Sequence, residues 1–202
     1  MSARLFALFA LTSAAVLAQP LEYPRLTDAE KKKLDEKGVV VHELKPTDGR
    51  GVSAESMGVV DAPSDEVWPV VRDCEHFSKF LPSTKASAKK QENGDSICFD
   101  EISLPFPLMN LWADTKSVMR EEPAGHFQRS WSFVRGTYNH NRGAWTVLPW
   151  GPEKKQSLVI YLIDSDPKML VPDAILRAAQ TGSLPEVFVG IRKRVLALRS
   201  AK

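Results

Sequence analysis

The order of secondary-structure signals along the chain constrains the fold more than any other feature of the sequence. Between residues 84 and 164, strand-like segments follow one another and are separated by turn signals such as Asn93-Gly94 and Gly136-Thr137. Connections this short join antiparallel neighbours, so the sequence predicts one antiparallel meander. The predicted strands are Thr84–Lys90, Asp95–Leu104, Leu111–Glu121, His126–Arg135, Tyr138–Leu148 and Gln156–Asp164.

Helical signals lie on both sides of this run of strands. After a further predicted strand at Val52–Asp61, the segment Ala62–Glu66 begins a helix, with a proline in the first turn and acids near its positive end. We expect a second short helical turn at Phe77–Leu81. One apolar stripe with helical spacing then comes late in the chain, formed by Leu184, Val187, Phe188, Ile191, Val195 and Leu198.

A single antiparallel sheet must bury one of its faces, and the last helix is the element available to cover it. A sheet that curves around a long helix encloses a cavity wherever side chains do not fill the space between them. The sequence therefore predicts an interior cavity, without indicating whether anything occupies it.

The start of the chain has the pattern of a secretory signal peptide. Arg4 precedes an apolar run, and Val16-Leu17-Ala18 places small residues before a cleavage site. The run is shorter than the ~20 residues that a spanning helix needs. We therefore expect residues 1–18 to be removed by cleavage after Ala18, and the mature protein to be exported, either to the periplasm or out of the cell.

The remainder is expected to comprise an extension and one domain. Residues 19–50 form the N-terminal extension, with a capping box at Thr27–Glu30 that begins a short helix, followed by a strand at Val39–Val41. Residues 51–202 form the domain. The sequence leaves open whether the extension packs on the domain or covers the mouth of its cavity.

The composition limits which partners the protein is expected to bind and how its two cysteines can pair. The chain has 27 basic and 25 acidic residues, a formal net charge of +2, which gives no electrostatic case for binding nucleic acid. Cys74 and Cys98 are too few for a disulfide scaffold. In an exported protein they either pair or remain buried free thiols, and both alternatives stay open at this point.

Several motifs, taken in this order, resemble the START-like (SRPBCC) superfamily. Ala62–Trp68 is similar to the family's entry into its first helix, and Asp73–Pro82 resembles a segment of the polyketide cyclase/dehydrase and coenzyme Q-binding (COQ10-type) branch. Leu104–Asn110 resembles a proline-rich loop, although Leu111 stands where an arginine is usual. The later part of the resemblance consists of Gly143-Ala144-Trp145, Leu148-Pro149, Tyr161, Asp166-Pro167 and the segment from Val171-Pro172 to Arg192-Lys193-Arg194.

The resemblance implies an α+β helix-grip fold of the START/Bet v1 type, in which a curved antiparallel sheet wraps around a long C-terminal helix. It also implies a hydrophobic ligand, such as a lipid or an isoprenoid quinone, held between sheet and helix without chemistry. The alternative is an aromatase/cyclase-like enzyme acting on a polyketide-type substrate, which the signal peptide disfavours. The candidate ligand-binding residues are Phe99, Phe106, Met109, Trp112, Trp131, Phe133, Trp145, Tyr161, Ile175 and Phe188, and each is equally a candidate for core packing.

Catalytic motifs are not found in the sequence. The four histidines (His42, His76, His126 and His140) are scattered and have no metal-ligand spacing. We therefore expect no catalytic residue, metal or cofactor. Glu101, Asp114 and Arg135 alternate within strands, and the sequence leaves open whether one of them points into the cavity, where it would orient a polar ligand head.

Two surface features are candidates for contact with a membrane. The loop at 105–111 is strongly apolar and is either an exposed ligand mouth, partner surface or membrane contact, or a loop packed on the last helix. The last helix also carries a basic group without an acid, which is either a solvated face or a contact for anionic headgroups. That group comprises Arg192, Lys193, Arg194, Arg199 and Lys202.

Overall fold

Eight antiparallel strands form one curved sheet in the computed structural model, which describes residues 20–172, 175, 178 and 182–201. The strands are β1 (Val39–Glu43), β2 (Val52–Val60), β3 (Thr84–Glu92), β4 (Asp95–Ile102), β5 (Leu111–Glu122), β6 (His126–Gly136), β7 (Tyr138–Trp150) and β8 (Gln156–Pro167). Their spatial order is β1-β2-β8-β7-β6-β5-β4-β3. The predicted antiparallel meander is therefore confirmed. The expected signal peptide lies outside the described residues.

The described helices include α1 (Asp28–Asp35), α2 (Ser64–Arg72), a short 3-10 helix (Cys74–Lys79) and α3 (Ser183–Ser200), and a further three-residue 3-10 turn follows β5 at Pro123–Gly125. The helical turn predicted at Phe77–Leu81 begins three residues earlier than expected, at Cys74. The reason is local: the carboxylate of Asp73 accepts a hydrogen bond from the backbone N–H of Glu75 at 3.3 Å and caps the new turn.

The main core lies on the concave face of the sheet, under α2 and α3. Val67 and Val71 of α2 and Ile191 and Val195 of α3 are buried together there. Phe188 is also completely buried, because Gly58 of β2 leaves room for its ring. A β-carbon built on Gly58 would lie only 2.5 Å from the Cδ1 atom of Phe188, so α3 approaches the sheet closely at this point.

A second core lies on the convex face and is completed by the N-terminal extension. Leu21 and Leu34 pack there with Met57 and Leu158 of the sheet, while β1 pairs with β2 and extends the sheet at its edge. The described part of residues 20–51 contributes no side chain to the cavity. The extension therefore packs on the back of the sheet and does not cover the cavity mouth.

The two cysteines form a disulfide between the 3-10 helix and β4. Cys74 and Cys98 are both buried, and their Cα atoms lie 6.0 Å apart. This resolves the alternative that the sequence left open. Among residues 20–172 and 182–201, no helix is both long and apolar enough to cross a membrane.

Candidate ligand-binding cavity

A cavity of about 420 Å³ lies between the concave face of the sheet and the segment that leads into α3. Its walls come from β4 to β8, the end of the 3-10 helix, the loops after β4 and β8, and the first turns of α3. Leu81, Ile102, Leu111, Ile163, Leu184 and Val187 supply much of the apolar lining. The volume falls within the range of about 300–1,000 Å³ typical of small-molecule pockets.

Three aromatic side chains form the floor of the cavity. Trp145 of β7 and Tyr161 of β8 are paired across neighbouring strands, and their rings stack with centroids 4.1 Å apart. The Trp131 ring extends this row, with its centroid 5.9 Å from that of Tyr161. Because Gly143 separates Trp131 from β8, the indole can lie across the strand toward Tyr161.

A buried cation, Arg129 of β6, also lines the cavity and is 2% exposed. Its Nε donates to Oγ of Ser117 at 3.1 Å, and its Nη2 donates to Sγ of Cys98 at 3.0 Å. The guanidinium carbon lies 5.1 Å from the ring centroid of Phe77 and 5.8 Å from that of Trp131. Burial lowers the pKa of Arg129 to about 10, so it remains charged at neutral pH.

Asp100 of β4 is the second charged residue of the cavity. Burial raises the pKa of its carboxyl to about 7, although the positive charge of Arg129 acts in the opposite direction. Its Oδ1 is buried and has no hydrogen-bond partner among the described residues. An unpaired buried carboxylate is costly, so a ligand group that donates a hydrogen bond would be favoured there.

Other polar groups of the cavity are largely neutral. Burial raises the pKa of the phenols of Tyr138 and Tyr161 above the ordinary value, so both remain protonated. The indole N–H of Trp131 donates to Oδ1 of Asn141 at 2.9 Å. The cavity therefore combines an apolar body with one polar end, at Arg129 and Asp100.

Four of the predicted ligand-binding residues line the cavity together: Trp131, Trp145, Tyr161 and Ile175. The other six lie elsewhere. Phe188 is in the core against Gly58. Phe133 packs beside the cluster of Leu111 and Tyr138 without lining the cavity.

Two of the remaining predicted residues lie on the convex face. The rings of Phe99 and Trp112 have centroids 6.2 Å apart, and Trp112 is 36% exposed. Both belong to positions that alternate with the cavity-lining Asp100 and Leu111, and successive side chains of a strand point to opposite faces.

The last two, Phe106 and Met109, stand at the cavity entrance and point away from it. They are 97% and 73% exposed, which excludes packing of their side chains on the last helix. Leu170, in the loop after β8, is 85% exposed. Leu104 and Met169 pack against the same small cluster, so the two loops lie side by side. We refer to Phe106, Met109 and Leu170 as the apolar rim.

None of the three charged residues considered from the sequence lines the cavity. Asp114 is buried on the opposite face, where its Oδ2 lies 2.8 Å from both Lys90 Nζ and Arg135 Nη2. Glu101 accepts from Asn110 and Lys85. Among the residues that the structure describes, the charges inside the cavity are Asp100 and Arg129, which sequence reasoning missed. A signal was available for Arg129: it lies two residues from Phe127 and two from Trp131, on a face that is otherwise aromatic.

The basic residues at the end of the chain are partly committed to contacts within the protein. Arg192 Nε donates to the Val59 carbonyl at 2.9 Å. Arg199 pairs with Glu66 and donates to the carbonyl of Asp61. These two arginines therefore fix α3 to the sheet and to α2.

This arrangement defines the helix-grip class of α+β proteins. The chain matches the family described as polyketide cyclase/dehydrase and lipid transport over residues 60–187. It therefore belongs to this family, within the START-like (SRPBCC) superfamily. No curated protein matches it in sequence.

Solved structures with the same fold include a STAR-related lipid transfer protein from Xanthomonas axonopodis, with 19% identity and a TM-score of 0.62, covering 78% of this chain and 92% of that one. Human StAR-related lipid transfer protein 5 has 13% identity and a TM-score of 0.66, and the match covers 80% of this chain and 84% of that one. A START superfamily protein from Mycobacterium smegmatis has 16% identity and a TM-score of 0.58, and the match covers 72% of this chain and 98% of that one. At these identities the likeness establishes the fold alone.

Proposed function

We propose that the protein binds one hydrophobic or amphipathic small molecule in the cavity, such as a lipid or an isoprenoid quinone, and carries it without converting it. The observation that carries this proposal is the cavity itself: an apolar, aromatic-floored space of about 420 Å³ with a cation and a carboxyl at one end. The apolar body would hold the hydrophobic part of the ligand, and Arg129 and Asp100 would meet its polar group. The lipid transfer proteins that share the fold support this proposal.

We propose that the carrier acts outside the cytoplasm. The signal-peptide pattern of residues 1–18 is one support. The disulfide between Cys74 and Cys98 is an independent support, because such bonds persist in oxidising compartments and are rare in the cytosol. Cell fractionation with an antibody against the mature chain would test this.

We propose that the apolar rim makes transient contact with a membrane while the ligand enters or leaves. Phe106, Met109 and Leu170 are exposed on loops whose neighbouring residues, Pro105 and Val171, line the cavity. An apolar ligand that leaves at this point would meet the bilayer directly instead of water.

The second candidate function is an enzyme acting on a polyketide-type substrate. It is favoured by one observation, the carboxyl of Asp100 with its pKa raised to about 7. A group that titrates near neutral pH inside a cavity is suited to general acid–base catalysis, and Arg129 could stabilise an enolate oxygen.

Native mass spectrometry of protein purified from its own source, followed by organic extraction, distinguishes these functions. A stoichiometric apolar molecule that is recovered unchanged after incubation supports the carrier, whereas conversion to a product of different mass supports the enzyme. The matched variants are Ala113→Phe, which fills the cavity, and Ala88→Phe, which adds the same ring on exposed β3. The proposal fails if nothing co-purifies, or if both variants retain the molecule equally.

A further inference from the structure

The disulfide lies directly beside the charged end of the cavity. Cys74 begins the 3-10 helix, and Phe77 follows three residues later in the same helix. The Phe77 ring packs edge-on against Trp145, with centroids 6.3 Å apart, and covers the guanidinium of Arg129. Because Cys98 belongs to β4, the disulfide ties the helix that carries Phe77 to the sheet that carries the cation.

Arg129 is held by groups that do not neutralise it. The acceptors of its hydrogen bonds are the hydroxyl of Ser117 and the sulfur of Cys98, and the rings of Phe77 and Trp131 flank it. Disulfide sulfur is a weak acceptor, so its effect comes from its fixed position more than from the strength of the bond. No hydrogen bond joins Nη1 of Arg129 to a described residue, and Arg129 borders the cavity.

Asp100, the acidic residue in the described lining of the cavity, does not pair with Arg129. Asp100 is close enough to influence the pKa of Arg129, yet the influence is through space only and no hydrogen bond joins the two side chains. Asp100 also leaves its Oδ1 without a partner. An ionised Asp100 would gain energy by approaching Arg129 in a low-dielectric interior. The contacts of Arg129 with Ser117, Cys98 and the two rings instead keep the guanidinium where it is.

We propose that the Cys74–Cys98 disulfide is a positioning element of the ligand site, and that it keeps Arg129 directed into the cavity so that the site selects ligands with an anionic head group. This inference rests on the proposed function. Without the disulfide, the 3-10 helix and Phe77 lose their covalent tie to β4. Arg129 is then free to turn toward Asp100 and pair with it, and the cavity loses a cation that is available to the ligand while keeping its apolar body.

Two fluorescent probes that differ by one charged group test this. Anilinonaphthalene sulfonate (ANS) is anionic and N-phenylnaphthylamine (NPN) is its uncharged counterpart, so the ratio of their Kd values measures selectivity for the anion. A loss of folded protein raises both apparent Kd values by the same factor and leaves their ratio unchanged. The ratio therefore separates a positioning role from simple destabilisation.

We expect Cys74→Ala/Cys98→Ala to lower the preference for ANS by about tenfold or more, which corresponds to about 1.4 kcal/mol, because the guanidinium then no longer faces the sulfonate of the probe. Arg129→Gln should lower it equally, and the two effects should not add. The control is Leu34→Ala, which makes a cavity of similar destabilising effect in the convex core without touching Arg129. It should leave the Kd ratio at the wild-type value.

Loss of a disulfide can prevent folding, so the measurement is made at low temperature with circular dichroism as the check. Cys74→Ala is a second variant, which removes the disulfide but retains the sulfur of Cys98 beside Arg129. The inference is overturned if the cysteine variants weaken ANS and NPN equally, or if they keep the wild-type ratio. If wild-type protein binds neither probe in the cavity, so that Ala113→Phe changes nothing, the proposed function fails as well.

Discussion

Trp131 lies across the backbone of Gly143, and a β-carbon built on Gly143 would fall 2.4 Å from Cζ2 of the indole. The same β-carbon would lie 2.1 Å from the carbonyl oxygen of Leu162. Both distances are far below van der Waals contact, so position 143 accepts only glycine without movement. This close approach sets the flat aromatic floor of the cavity.

We expect Gly143→Ala to displace Trp131 and to lower the free energy of unfolding by about 1–3 kcal/mol, as overpacking does in other cores. Ligand binding should weaken in the protein that remains folded. Denaturant unfolding and tryptophan fluorescence measure the two effects. The control is Gly49→Ala, whose added carbon meets nothing within 4 Å; because Gly49 has a φ of +72°, this variant also loses some stability through its backbone, but it does so far from the aromatic floor. Equal binding by both variants would show that Trp131 does not shape the cavity.

The fold was predictable because it depends on the order of local signals, which do not require knowledge of the tertiary structure. The contents of the cavity depend on long-range register. Asp100 faces inward because Cys98, two residues earlier, faces Cys74, and β4 by itself does not reveal which of its faces is buried. Phe188 packs into the core because Gly58, far away in sequence, makes room for it. The resemblance and the residue types therefore identified aromatic residues of the floor, whereas both charges were missed.

The stability of the unliganded protein should depend on pH through Asp100. Its pKa in the folded state, about 7, lies above the ordinary value of 3.8, so folding favours the protonated form. The stabilisation of the folded protein by this proton is complete below about pH 4 and is lost as pH rises through about 7. We therefore expect Asp100→Asn to gain stability over wild type as pH rises across this interval.

Chemical denaturation of both proteins at about pH 5 and about pH 8 measures this difference. The groups that face Asp100 in the cavity, Arg129, Tyr138 and Tyr161, keep their charge states over this interval because their pKa values lie higher. Glu22→Gln, which alters an exposed acid in the N-terminal extension, is the control. A difference between wild type and Asp100→Asn that stays constant with pH would contradict the raised pKa.

The N-terminal extension should be held most firmly at mildly acidic pH. His42 of β1 lies with its Nε2 2.6 Å from Oε1 of Glu30 in α1 and its Nδ1 3.4 Å from Oε2 of Glu55 in β2. The hydrogen bond to Glu30 is the main cause that raises the pKa of His42. The hydrogen bond to His42 is also the main cause that lowers the pKa of Glu30, to about 2.

The contribution of His42 is therefore present below its ordinary pKa of 6.5 and is lost as pH rises through the raised value. The stabilisation that Glu30 contributes is present above pH 4.5 and is lost as pH falls through about 2. Hydrogen exchange, corrected for the intrinsic rate, should show amides of α1 opening more readily at about pH 8 than at about pH 6. His42→Gln should abolish the difference, and His76→Gln, remote from α1, should preserve it.

The apolar rim should determine binding to vesicles. Phe106 and Met109 can enter a bilayer without any unfolding, because their side chains already lie outside the protein. Burial of two such side chains contributes about 1.5–3 kcal/mol each, so Phe106→Ser/Met109→Ser should lower the fraction of protein that sediments with phosphatidylcholine–phosphatidylglycerol vesicles by at least tenfold in partition coefficient. Thermal stability should not change, since neither residue packs in the core.

Val118→Ser is the matched control, because Val118 is 59% exposed on the sheet and does not border the cavity. It removes one exposed apolar side chain away from the rim, so a general effect of surface hydrophobicity would appear in both variants in proportion to the apolar surface removed. Equal losses for the two variants would contradict membrane contact through the rim. Loss confined to Phe106→Ser/Met109→Ser, and unaffected by high salt, would show that the contact is apolar and does not depend on the basic residues of α3.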